Sequence, residues 1–105
     1  MYKRQWSVLR HAPRIGVSIL SAEQAHAGRQ LGSRGLERFT GLDWRTTTDG
    51  AVLLDGASGW LDTSIYQQVH AGDHDIVVLA VHDLDADYDI GPLVFHGSQF
   101  RRLQI

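Results

Sequence analysis

The chain has 105 residues, 43% of them hydrophobic and 21% charged, ordinary values for one folded domain and too apolar for a disordered segment. Ten basic residues against twelve acidic ones give a formal charge of −2, so there is no basic footprint for nucleic acid, and Arg101-Arg102 is too short a run to supply one. There is no cysteine, which removes disulfide and thiolate chemistry, and no apolar stretch approaches a membrane span or a signal peptide. These features set the expectation of a cytoplasmic protein with no membrane partner.

Met1-Tyr2-Lys3-Arg4-Gln5 resembles the translation of a commonly used transposon sequencing adapter, and these five residues are expected to be foreign to the natural protein. The domain then occupies residues 6–105. Trp6, Leu9 and Ala12, with Val8 beside them, predict a short helix that Pro13 stops. Ile15, Val17 and Ile19 share one face of a strand over Ile15–Leu20. Ser21-Ala22-Glu23-Gln24 has the form of a capping box, so a helix is expected from Ala22 to about Leu31, weakened by Gly28 and ended by Gly32, Ser33 and Gly35.

One more helical turn is expected over Leu36–Phe39, then a loop over Gly41–Asp49 anchored by Leu42 and Trp44. Ala51–Leu54 reads as a short strand between turns at Asp49-Gly50 and Asp55-Gly56. A long strand follows over Ala57–Val69, in which Gly59 marks a bulge or a close backbone approach. Ala71-Gly72-Asp73 is turn chemistry, because glycine tolerates positive φ and aspartate can bond its own backbone. Beyond it, Ile76–Val81 is an unbroken apolar run that predicts a strand covered on both faces, in a closed barrel or under a partner subunit. Asp83, Asp85, Asp87 and Asp89 alternate along what reads as a solvated edge strand whose charges deter edge pairing. Pro92–His96 and Gln99–Leu103 form a last hairpin around Gly97-Ser98. The expected content is five or six strands and two or three short helices, mainly β.

Several of these segments together carry a family resemblance. Ser21-Ala22-Glu23-Gln24 follows an apolar strand, Arg38-Phe39-Thr40-Gly41 precedes Trp44, and Leu53-Leu54-Asp55-Gly56-Ala57 leads to Trp60-Leu61. Ala71-Gly72-Asp73-His74 opens the Ile76–Val81 strand, and Pro92-Leu93-Val94-Phe95 comes before Gly97, Phe100 and Arg101. In order and spacing, from Trp6 to Leu103, the chain resembles the C-terminal two-thirds of the flavin reductase family, the FMN-binding split-barrel proteins that include reductase components of two-component flavin monooxygenases. The Gly-Asp-His turn is the most specific single element.

The resemblance implies an antiparallel split β-barrel, incomplete here because its N-terminal strands are missing, with open edges and an uncovered apolar face. It implies a homodimer that binds FMN or FAD at the subunit interface, NADH or NADPH as co-substrate, and a flavin-dependent monooxygenase as partner. No side chain is expected to act as acid or base, since hydride transfer to the flavin is the cofactor's own chemistry. The residues it points to for cofactor binding are Gly72, which shapes the turn, Asp73, which orients the histidine, and His74 at the barrel rim. Phe95 and Phe100 fall where the family often places aromatics, and Trp6 and Ser7 where it has a serine-and-tryptophan segment near the flavin phosphate. The chain departs from the family pattern at Ser18, where asparagine is usual, and at Gly28, where a larger apolar residue is usual. The alternative function is a non-catalytic flavin-binding split barrel or an inactive truncated remnant.

The histidines offer one rival from a different class. His70, His74 and His82, with Asp73, Asp75 and Asp83, supply ligand types suited to zinc or non-haem iron, but scattered histidines in a chain with six are more often solvated, and no metal is expected. Serine hydrolase chemistry has less support, because no serine sits in a Gly-x-Ser-x-Gly elbow.

Overall fold

A long two-stranded ribbon dominates the architecture, built by β4 (Gly59–Ala71) and β5 (His74–Ala86), each of 13 residues. The computed structural model describes residue 6 and residues 8–32 and 39–102. The chain enters through a helical turn, closed by bonds from the Arg10 N–H to the Trp6 carbonyl and from Ala12 to Leu9, and Pro13 ends it as expected. β1 (Ile15–Ile19) pairs antiparallel with the base of β4, from Ile15 opposite Thr63 to Ile19 opposite Gly59, giving the sheet order β1-β4-β5.

Ser21 starts the helical segment. The Gln24 side chain reaches back to accept the Ser21 N–H at 2.9 Å, and a 3-10 turn (Ala22–Gln24) passes into α1 (Ala25–Leu31). Gly28 lies under the Phe100 ring: a Cβ there would stand 3.1 Å from Phe100 Cζ and 3.3 Å from Leu20 Cδ1. The unusual glycine is thus the space into which the last hairpin packs. The turn expected over Leu36–Phe39 falls largely outside the described residues, as do Met1–Gln5.

The segment expected as a loop over Gly41–Asp49 contains a strand. β2 (Trp44–Thr46) pairs with β3 (Val52–Leu54) around a turn in which the Gly50 N–H donates to the Thr47 carbonyl. Thr46, Thr47 and Thr48 are β-branched and favour strands as well as loops, and the pairing with Val52–Leu54 decides the matter. This small hairpin stacks on β1. The Ser18 hydroxyl, at the position that departs from the family pattern, accepts the Leu54 N–H at 3.0 Å and ties β3 to β1. Ala51, Leu53 and Leu54 are buried in this layer with Thr63 and Asp62 of β4, and Ala27 of α1 is also buried.

Gly59 sits within 3.4 Å of Ile19 Cδ1 and of the Asp85 carbonyl oxygen when a Cβ is placed on it, a close approach rather than a bulge. The register instead shifts at Asp62/Thr63, leaving His82 unpaired, and at Ile65/Gln67, leaving Tyr66 unpaired. A third sheet, β6 (Leu93–His96) with β7 (Gln99–Arg102), hangs from the base of the ribbon. There the Leu93 N–H donates to the Leu20 carbonyl and the Ala22 N–H to the Gly91 carbonyl. Both Gly97 (φ 60°) and Ser98 (φ 61°) are left-handed, the signature of a type I′ hairpin.

Seven strands are therefore present among the described residues, in three sheets that curl round one another without closing, a mainly β, split-barrel-like fold. The expectation that Ile76–Val81 is covered on both faces does not hold within one chain. Ile76 is 55% and Val78 41% exposed, while Val77, Leu79 and Ala80 are half-buried, because the ribbon outruns the layers that pack on its base.

Candidate functional site at the tip of the ribbon

The ribbon ends in a two-residue turn, with Ala71 opposite His74 and His70 opposite Asp75. Gly72 adopts φ +66° at the first central position, as a type II′ turn requires, and nothing lies within 4 Å of a Cβ placed on it. Glycine is needed there for its backbone conformation, not for space. Asp73 Oδ1 and His74 Nδ1 lie 2.6 Å apart, so the neighbouring carboxylate fixes one imidazole nitrogen and leaves Nε2 directed away from it. The His74 side chain is 82% exposed at the end of the ribbon.

Behind the turn, Asp75 binds both of its neighbours across the ribbon. Gln68 Nε2 donates to one carboxylate oxygen at 2.9 Å, and His70 Nδ1 meets the other at 2.9 Å. The His70 and Gln68 hydrogen bonds outweigh a small desolvation and hold the Asp75 carboxyl below its ordinary range, and the charges of His70 and Arg10 add to this. Arg10 belongs to the N-terminal helical turn, which precedes Ile15 and so lies on the tip side of the Ile15/Thr63 pair. Trp6 heads the same turn. Its indole N–H is buried and finds no acceptor among the described residues, a donor whose desolvation costs on the order of 1–3 kcal/mol if left unmet. Ser7 lies outside the described residues.

Phe95 and Phe100 form a cross-strand pair on β6 and β7, ring centroids 5.3 Å apart and tilted by 52°. Phe100 is half-buried against Gly28 and Leu20, whereas Phe95 is 66% exposed, so Phe100 supports from beneath a ring that faces outward. The residues expected to bind cofactor thus fall into two groups. The turn residues Gly72, Asp73 and His74 share one end of the ribbon, the end toward which the segment headed by Trp6 lies beyond Ile15. Phe95 and Phe100 hang from the other end, where Leu93 bonds Leu20 and the Phe100 ring meets Gly28.

Among the described residues, no three His, Asp or Glu side chains converge to hold a metal ion. His70 pairs with Asp75, His74 with Asp73, and His82 Nε2 with the Ser64 hydroxyl at 2.7 Å. Deeper in the base, Arg14 bridges the buried Asp62 at 3.0 Å and the exposed Asp49 at 3.4 Å. Burial pushes the Asp62 carboxyl up, but hydrogen bonds from Thr47 and Arg14 and the charges of Arg14 and His82 more than offset this and leave it lowered. Sequence reading missed the Arg10, His70, Gln68 and Asp75 group. Once the turn is centred on Gly72-Asp73, His70 and Asp75 become a cross-strand pair and were findable, whereas the approach of Arg10 spans 65 positions and leaves no local signal.

Residues 2–104 match the family described as the flavin reductase like domain, and the chain belongs to that family. A flavin reductase of Pseudomonas putida is 28% identical over 91 residues, covering 87% of this chain and 54% of the relative. The reductase subunit HsaB of a flavin-dependent monooxygenase from Mycobacterium tuberculosis is 25% identical over 103 residues, covering 96% and 55%. Among solved structures, nitrilotriacetate monooxygenase component B from Mycobacterium thermoresistibile superimposes with a TM-score of 0.88 at 29% identity, over 96% of this chain and 57% of that one. The NADH:FAD oxidoreductase SgcE6 of Streptomyces globisporus, solved with NAD and FAD fragments, gives 0.87 at 29% identity over 95% and 61%. The chain spans about half the length of the curated relatives it matches.

Proposed function

We propose that this chain is part of an NAD(P)H-dependent flavin reductase that supplies reduced flavin to a partner monooxygenase in the cytoplasm. Family membership sets the class of reaction, and the observation that carries the reading to particular residues is the exposed turn at the ribbon tip, where His74 stands braced by Asp73 and Nε2 has no partner among the described residues. A relative named an FMN reductase (NADH) and a structural neighbour named an NADH:FAD oxidoreductase support flavin and nicotinamide nucleotide as the reacting pair. Relatives named as reductase subunits of monooxygenases support the oxygenase partner.

The donor set suits a flat, anionic redox cofactor. Trp6 offers a buried N–H in search of an acceptor, Phe95 offers an exposed ring face, and His74 offers an imidazole able to donate to a carboxamide or phosphate. When bound, the flavin accepts hydride from the nicotinamide, and the protein's task is to hold the two rings in contact and exclude water. A single copy leaves the tip and the Phe95 ring at opposite ends of the ribbon, and a homodimer that joins one copy's tip to its partner brings them into one cleft.

Purified protein is expected to oxidise NADH or NADPH only when free FMN or FAD is supplied. His74→Ala should lower kcat/KM for the nicotinamide nucleotide about tenfold, the loss of one charge-assisted hydrogen bond, with unfolding unchanged because the side chain is exposed. Absence of flavin-dependent oxidation with either nucleotide would overturn the proposal.

A further inference from the structure

We infer that Asp75 is a positioning residue which ties the two strands of the ribbon together just behind its tip and so holds His74 on the opposite face. What His74 then binds rests on the function proposed above; the clamp itself rests on geometry. Cross-strand partners share a face and alternate residues change faces, so the register puts Gln68, His70 and Asp75 on one side of the ribbon. His74, Val69 and Ile76 occupy the other. Both oxygens of the Asp75 carboxylate are engaged by side chains of β4, His70 directly opposite and Gln68 two residues further from the turn, which ties the second rung behind the turn to the fourth.

His74 has no comparable support of its own. Its hydrogen-bond partner is Asp73, whose side chain is itself 92% exposed, and a two-residue turn at the end of a solvated ribbon frays readily. The direction of the imidazole therefore depends on the rigidity of the rungs behind it. A carboxylate spanning two donors across those rungs supplies that rigidity before any ligand arrives, and preorganisation of this kind lowers the concentration of ligand needed without altering the step that follows.

The test compares Asp75→Ala, Asp75→Asn and His70→Gln with the unaltered protein, by steady-state kinetics and by amide hydrogen exchange. Asp75→Ala is expected to raise KM for the nicotinamide nucleotide about tenfold with kcat within about twofold, and to speed exchange at the paired tip amides of Val69, His74 and Ile76 about tenfold while β1 and the base of β4 keep their protection. Asp75→Asn, which keeps one acceptor oxygen, should recover most of the KM, and His70→Gln should fall between. Unchanged exchange at the tip in Asp75→Ala overturns the clamp, as does a parallel fall of kcat and kcat/KM with lost protection throughout. If the unaltered protein shows no flavin-dependent oxidation, the functional reading falls while the exchange comparison still decides the clamp.

Discussion

A Cβ on Gly16 would overlap the backbone carbonyl of Val52, whereas one on Gly28 would press only on the ends of the Phe100 and Leu20 side chains. The two glycines therefore answer differently to the same methyl group. Gly16→Ala forces β1 away from β3 and is expected to cost about 3 kcal/mol or more, since backbone cannot swing aside. Gly28→Ala relieves a poor helix former, worth about 1 kcal/mol, against a small displacement of two side-chain ends, and should fall within about 1 kcal/mol of the parent. Urea unfolding of both variants checks the contrast. The family pattern flagged Gly28 as odd, but only the packed Phe100 ring explains it. Gly16 gave no warning at all, because a residue's neighbours across 36 positions leave no trace in its own strand.

Among the elements, the joint between β1 and β4 carries the clearest response to pH. Asp62 is buried with a lowered pKa, held by Thr47 and Arg14. The unfolded chain then binds more protons than the folded one in acid, so the stabilisation is complete above the ordinary aspartate value of about 3.9 and is lost as pH falls through the lower folded value. Urea midpoints are expected to be flat from neutral pH down to about pH 5 and to fall in stronger acid, with Asp62→Asn less stable at neutral pH and flatter below it. The long hairpin was legible because Gly-Asp turn chemistry and an apolar run agree. The three-residue strand β2 was not, since so short a run shows no period, whereas β3, equally short, was marked by the Asp-Gly turns on either side of it. The bulges at Tyr66 and His82 had no glycine to betray them, and Gly59, which did attract notice, marks a close approach instead.

At the scale of the whole molecule, the ribbon carries Tyr66, Val69, Ile76 and Val78 out of the packed base with their apolar groups exposed. A stripe of this kind on an edge ribbon is expected to be covered by another surface, and a second copy of this chain fits the functional proposal. Sedimentation should show a dimer, and Ile76→Lys, which sets a charge in the middle of the stripe, should weaken it at least about thirtyfold. A monomer at assay concentrations, or a dimer indifferent to Ile76→Lys, would place the contact elsewhere. The apolar run, expected to be covered on both faces, stands partly exposed in one chain, and its sequence does not say what would cover it.

The two register shifts in the ribbon have a further effect. Sliding two strands past each other by one rung is the ordinary failure of a long hairpin, and it would swing every side chain of the tip to the wrong side. With one unmatched residue on each strand, at Tyr66 on β4 and His82 on β5, any slide must annihilate both kinks and form new ones elsewhere. The kinks act as pawls, so the imidazole at the end of a long lever keeps its heading although almost nothing touches it.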